Sequence, residues 1–171
     1  IKDIVDTLDQ YPCEYLVVDP VMISKSGYSL LRPEAKQNLI KYLIPKAYIV
    51  TPNIPEAEEI TNMKIETVED MKKAGQIILN LGPKYVLMKG GHLNGDCVDI
   101  LIGKDLFEVF EGERIDRKNT HGTGCTISSA ITSHLALGYD IKEAVRLSKE
   151  YITEAIRHSF DIGKGVGPVH H

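Results

Sequence analysis

The chain has 171 residues, 43% of them hydrophobic and 26% charged, a mixture that supports one soluble domain with a real core and argues against disorder. A net charge of −4 and a pI near 5.9 exclude a basic footprint for nucleic acid or an anionic membrane, and no apolar stretch approaches the roughly 20 residues of a membrane span. Cys13, Cys97 and Cys125 are odd in number and lack metal-ligand spacing, so neither a disulfide framework nor a zinc site is indicated, and a reducing cytoplasm is the expected compartment.

Ile1, Ile4, Val5 and Leu8 recur on one helical face that ends before Pro12, and residues 15–18 read as a short buried strand stopped by Asp19-Pro20. No signal peptide is present, and the chain opens on Ile1 rather than Met, so its true beginning is expected to lie upstream. After the polar loop 24–29, Pro33 opens a helix whose apolar positions Leu39, Ile40 and Leu43 run to Pro45, and 47–50 form the next strand. Thr51-Pro52-Asn53 leaves that strand. Pro55 starts a short helix to Ile60, and a longer one spans 68–81 before Gly82-Pro83. Residues 84–88 follow as a strand whose exit, Lys89-Gly90-Gly91-His92, is a glycine turn. Residues 98–102 and 106–110 read as a hairpin around Gly103-Lys104-Asp105. Two helices finish the chain, one running on from Cys125 to Leu137 and one over 141–158, separated by Gly138.

This alternation predicts a single α/β domain over 1–171, built on a doubly wound, mostly parallel sheet with helices on both faces. Ligands in such sheets gather at the carboxyl ends of the strands. Asp19, Asn53 and Lys89 each follow a predicted strand, so they are expected to converge at one sheet edge, near the loop that carries Cys125. That loop, Asn119-Thr120-His121-Gly122-Thr123-Gly124-Cys125-Thr126, opens straight into an apolar-periodic helix. The first amides of a helix lack intrahelical partners and sit at the positive end of its dipole, where a phosphate or a developing oxyanion is stabilised. The same position favours a thiolate, so Cys125 stands where a cysteine could accept a proton from a hydroxyl or line the anion site.

Each candidate also has a structural reading. Asn53 and Glu56, three apart at a strand-to-helix junction, suit a Mg²⁺ ion held through water, or a helix N-cap with its capping Glu, a common helix start. Asp19 could orient metal or phosphate, or end a strand in a turn. Lys89 could meet a phosphate as a point charge, or be a solvated turn residue. His92 and His121 flank the two glycine loops and read as positional. The Lys25-Ser26-Gly27 loop could cover a substrate or be a surface turn. Cys125 could be a small buried packing residue, which is the expectation for Cys13 and Cys97.

Taken together, Asp19-Pro20-Val21-Met22, Ser24-Lys25-Ser26-Gly27, Thr51-Pro52-Asn53-Ile54-Pro55-Glu56-Ala57, Lys89-Gly90-Gly91-His92 and His121-Gly122-Thr123-Gly124-Cys125-Thr126 resemble the hydroxymethylpyrimidine/phosphomethylpyrimidine kinases of thiamine biosynthesis. The tail Gly167-Pro168-Val169-His170-His171 is similar to that family's end. The resemblance implies a ribokinase-like, three-layer αβα fold and transfer of the ATP γ-phosphate to 4-amino-5-hydroxymethyl-2-methylpyrimidine, then to its monophosphate, with Mg²⁺ on the nucleotide. It implies that Asn53 and Glu56 form the metal and phosphate motif, with Asp19 beside them and Lys89 on the nucleotide side. Gly122, Thr123 and Gly124 would form the anion hole, Cys125 would stand at the position of the catalytic base, and Val21 would line the pyrimidine pocket. It also implies that roughly the first third of the family's chain is absent, including its first strands, which puts activity of this chain alone in doubt. Two other functions remain open: a pyridoxal kinase of the same fold, and a nonenzymatic nucleotide-binding module. A homodimer is suggested only by analogy with relatives.

Overall fold

Three short runs rich in β-branched, aromatic and aliphatic residues lie side by side as parallel strands: β1 (Val17–Val18), β2 (Ile49–Val50) and β3 (Tyr85–Lys89). β4 (Cys97–Gly103) and β5 (Leu106–Gly112) add an antiparallel hairpin to the β3 side, giving a five-stranded mixed sheet in the order β1-β2-β3-β4-β5. The structure is a computed structural model describing residues 1–23, 28–91, 97–112, 115, 119–160 and 164–171, with Cys97 described in its backbone alone. The chain divides into two units, Ile1–Gly112 and Glu113–His171.

In the first unit the strand register places Val18, Val50, Val86 and Ile102 in one row across the sheet. This face carries the helices. α1 (Lys2–Gln10) brings Val5 against Val18, Val50 and the helical segment after Pro33. That segment is not one α-helix as expected from the sequence. α2 (Pro33–Asn38) passes into a π-helical turn over Leu39–Leu43 and a 3₁₀ turn over Ile44–Lys46, because Pro45 cannot donate the amide that would continue an α-helix. α3 (Ile54–Thr61) and α4 (Val68–Leu79) bury Ile54, Ala57, Met71, Ala74 and Ile78 against Val86, Met88, Ile100 and Ile102. Both begin with a capping box, Asn53 with Glu56 and Thr67 with Asp70, which satisfies amides that the first turn leaves without partners. Ile49, Leu87 and Leu101 on the opposite face are fully buried. The paired parts of β1 and β2 are each shorter than the strands read from sequence: ahead of them, Leu16 O accepts the Tyr48 amide at 2.8 Å and Ala47 O accepts the Lys84 amide at 3.2 Å outside the paired residues.

The second unit is built on α5 (Thr123–Ala136) and α6 (Ile141–Arg157), joined by a turn in which Gly138 takes φ 90°. Ile127, Ile131 and Leu135 of α5 are buried, as are Val145, Ser148 and Ile152 of α6. Asp140 caps α6 by accepting the Glu143 amide at 3.0 Å. The polar Ser148 is tolerated because its hydroxyl donates to the Ala144 carbonyl at 2.6 Å and meets His134 Nδ1 at 3.1 Å. No helix among the described residues is long and apolar enough to cross a membrane.

Candidate active site

The strand ends of the first unit bring four of the sequence candidates together. Asp19 leaves β1, and its Oδ1 accepts both the Thr51 hydroxyl at 3.0 Å and the Lys89 ammonium at 2.8 Å. Lys89 is the last residue of β3, not a solvated turn residue, and the two ion-paired side chains are 16% and 12% exposed. Beside them, Asn53 and Lys89 form an isolated parallel bridge, with the Lys89 amide donating to Pro52 O at 2.9 Å. The capping box supplies the fourth group. Glu56 Oε2 accepts the Asn53 amide and Asn53 Oδ1 accepts the Glu56 amide, each at 2.9 Å. The structural reading of this pair is therefore realised, yet it does not exhaust Glu56, a residue only 2% exposed.

Burial pushes the Glu56 carboxyl above its ordinary value, and the Asp19 charge adds to that; the Asn53 amide, the Lys89 charge and the Met22 amide pull the other way. Two acidic groups and a single lysine thus meet at these strand ends, with Glu56 the more desolvated of the two acids. Among the described residues no three His, Cys, Asp or Glu side chains gather as a metal cage. Asp19 and Glu56 could together offer two carboxylates to a hydrated cation that takes its remaining ligands from solvent or phosphate.

The second unit holds the glycine loop. Gly122, at φ 88°, is the N-cap of α5 and no side chain caps the helix. The first intrahelical bond runs from the Thr126 amide to Gly122 O at 2.9 Å, which leaves the amides of Thr123, Gly124 and Cys125 without a helical carbonyl to meet. A φ of this sign is strained for any residue with a Cβ, so the loop needs glycine at 122. Thr123 Oγ1 donates back to Thr120 O at 3.2 Å, closing the turn. Cys125 lies in the first turn and is exposed, so it is not a packing residue. Cys13 is exposed as well, which corrects the expectation that it packs in the core: it lies in the connection between α1 and β1, outside the apolar face of either. From Cys125 an open groove of about 480 Å³ runs along α5, lined by Ser129, Ser133, His134, Tyr151 and His171 among others.

Val21 is 41% exposed in the first unit. His121 is engaged through its backbone, pairing with Pro168. Residues 24–27, His92 and the Cys97 side chain lie outside the described residues. The sequence candidates leave out two contributors. Thr51, fully buried, holds Asp19. Asp99 of β4 accepts the Gly90 amide at 2.9 Å and so fixes the glycine turn after Lys89. Its signal was a lone carboxylate inside the apolar run Val98-Asp99-Ile100-Leu101-Ile102, where an uncompensated charge would be costly.

The profile of the family described as Phosphomethylpyrimidine kinase matches residues 1–170. A hydroxymethylpyrimidine/phosphomethylpyrimidine kinase of Staphylococcus aureus (strain MRSA252) is 45% identical over 176 residues, which cover 99% of this chain and 64% of that protein. The crystal structure of the phosphomethylpyrimidine kinase of Clostridium difficile 630 is 67% identical with a TM-score of 0.81, covering 91% of this chain and 63% of that one. A pyridoxal kinase from Staphylococcus aureus, solved with AMP-PCP and pyridoxal, is 36% identical with a TM-score of 0.90, over 99% of this chain and 62% of that one. The chain thus spans a little under two thirds of the length of these relatives. A family match from end to end, together with a mixed α/β fold shared with ribokinase-like kinases, means that the chain belongs to the phosphomethylpyrimidine kinase family.

Proposed function

We propose that the protein to which this chain belongs is a cytoplasmic kinase that transfers the ATP γ-phosphate to the hydroxymethyl group of 4-amino-5-hydroxymethyl-2-methylpyrimidine and then to the monophosphate so formed. The observation that carries this reading is the buried Glu56 beside the Asp19–Lys89 pair at the strand ends, in a chain whose family match runs from residue 1 to 170. Phosphoryl transfer needs little covalent help from the protein; it needs positioning and charge stabilisation. Asp19 and Glu56 would hold Mg²⁺ through water, and when bound that ion neutralises charge on the phosphate oxygens. Asn53 keeps Glu56 in place through the reciprocal cap. Lys89 presents a point charge toward the nucleotide while Asp19 fixes its ammonium. The amides of Thr123, Gly124 and Cys125 would receive the transferring phosphoryl oxygens. Cys125 would accept the proton of the substrate hydroxyl as its oxygen attacks the γ-phosphorus and ADP leaves. Val21 would line the ring pocket.

A second reading, pyridoxal phosphorylation, is favoured by the likeness to the pyridoxal kinase of Staphylococcus aureus. Both readings are tested by ADP release from the complete protein with Mg-ATP and either the hydroxymethylpyrimidine or pyridoxal as acceptor. Faster turnover with the pyrimidine is the expected result, and turnover with pyridoxal alone reassigns the acceptor. ATP binding with no turnover on either would favour the nonenzymatic module.

A further inference from the structure

Resting on the kinase reading above, we propose that the tail segment 167–169 and the buried amide of Asn119 hold the glycine loop in its anion-binding shape, with Asn119 as a positioning residue. Asn119 is 2% exposed, and its Oδ1 accepts the Gly167 amide at 3.0 Å across 48 residues of sequence. The two groups fit without slack. A Cβ on residue 167 would stand 2.2 Å from Asn119 Oδ1 and 2.8 Å from its Cγ, so only hydrogen is accommodated there. Two residues beyond Asn119, His121 is held at both backbone groups: its amide donates to Gly167 O at 3.1 Å and its carbonyl accepts the Val169 amide at 3.2 Å. The tail is itself seated on α6, where the His170 amide donates to Ala155 O at 3.0 Å and Val169 is buried.

The residue after His121 is Gly122, the left-handed N-cap from which α5 starts. With the amide and carbonyl of His121 both tied, the direction in which Gly122 launches the helix is set, and with it the aim of the amides at 123–125. Such groups work only as well as they are aimed, since a displacement of about 1 Å can cost on the order of 10² in rate. Side chains that touch no substrate can therefore govern turnover by fixing those that do.

The test compares Asn119→Ala, Gly167→Ala and the double variant in the complete protein, on a Cys13→Ser/Cys97→Ser background. It reads kcat and KM with Mg-ATP, the rate of Cys125 alkylation by iodoacetamide, and thermal melting by circular dichroism. Each single variant is expected to melt cooperatively, to lose at least about tenfold in kcat with acceptor KM within about twofold, and to alkylate at least about threefold more slowly as the thiol leaves its place at the helix start. The double variant should lose no more than the worse single one, because both act through one contact. Wild-type kcat and alkylation in both single variants, a loss carried by KM alone, or multiplicative losses in the double variant would each overturn the proposal. If the alanine variants do not melt cooperatively, Asn119→Asp, which keeps the Oδ1 acceptor, decides: near-wild-type alkylation and turnover support the contact, and a tenfold loss in both overturns it. Absence of turnover in the unsubstituted complete protein would sink the kinase reading alone, since alkylation still reports the coupling of tail and loop.

Discussion

At Glu56 two demands fall on one side chain. Its carboxylate completes the cap of α3, which needs an acceptor, and it sits buried near Asp19, which makes the charged form costly. Lys89 offsets that cost for both carboxylates. Lys89→Met should therefore leave Asp19 buried without its cation and destabilise the first unit by about 3 kcal/mol, the low end for breaking a buried pair. Urea unfolding measures this. Asp19→Asn combined with Lys89→Met is expected to recover part of the loss, because no uncompensated charge remains. Cys125 makes the opposite case, since it is exposed and its carbonyl accepts the Ser128 hydroxyl at 3.0 Å. Cys125→Ala in the complete protein is expected to leave stability nearly unchanged and to lower kcat by on the order of 10² or more with little change in nucleotide affinity, as for loss of a general base. Unchanged turnover in steady-state assays would remove Cys125 from the mechanism.

Among the elements, the sheet has chemically different ends. The polar groups of the candidate site stand where β1, β2 and β3 finish, while their beginnings carry a row of tyrosines. Tyr15, Tyr48 and Tyr85 stack edge to face at 5.0 and 5.3 Å, with the Lys84 ammonium over the Tyr48 and Tyr85 rings. Burial pushes the Tyr48 phenol up to about 12, with Tyr85 and Tyr15 adding to the shift. The neutral phenol is thus favoured more in the folded than in the unfolded chain, whose tyrosines titrate near 10. Its contribution to stability is complete below pH 10 and is lost as the pH rises through about 12. Phenolate absorbance at alkaline pH should contain a late component near pH 12, and Tyr48→Phe should remove it.

For the whole molecule, the chain spans 64% of the length of its Staphylococcus aureus relative, and β1 pairs only with β2 among the described residues. A strand with one open edge is a template for association with other chains. A polypeptide of these 171 residues alone is therefore expected to show no acceptor-dependent ADP release and to elute above monomer size on gel filtration. Turnover equal to that of the complete protein would show that the acceptor pocket is built from these residues.

Local chemistry made most elements legible. Proline at 33 and 55, the Asn53–Glu56 spacing, and Gly103-Lys104-Asp105 between apolar runs specify starts and turns through short-range sterics and hydrogen bonds. The same local signals marked Asp19, Asn53 and Lys89, because each lies at a strand exit, and Glu56, because it stands three residues beyond Asn53 in the first turn of α3. They could not say whether Lys89 is solvated or paired, since its partner is 70 residues away. Nor could they reveal Asn119 with Gly167, whose fit depends on a tail brought back across α6. The sequence by itself determined the order of elements and the family motifs, which depend on neighbours along the chain. Tertiary structure decided which polar groups are buried together, because desolvation and charge pairing depend on distance through space.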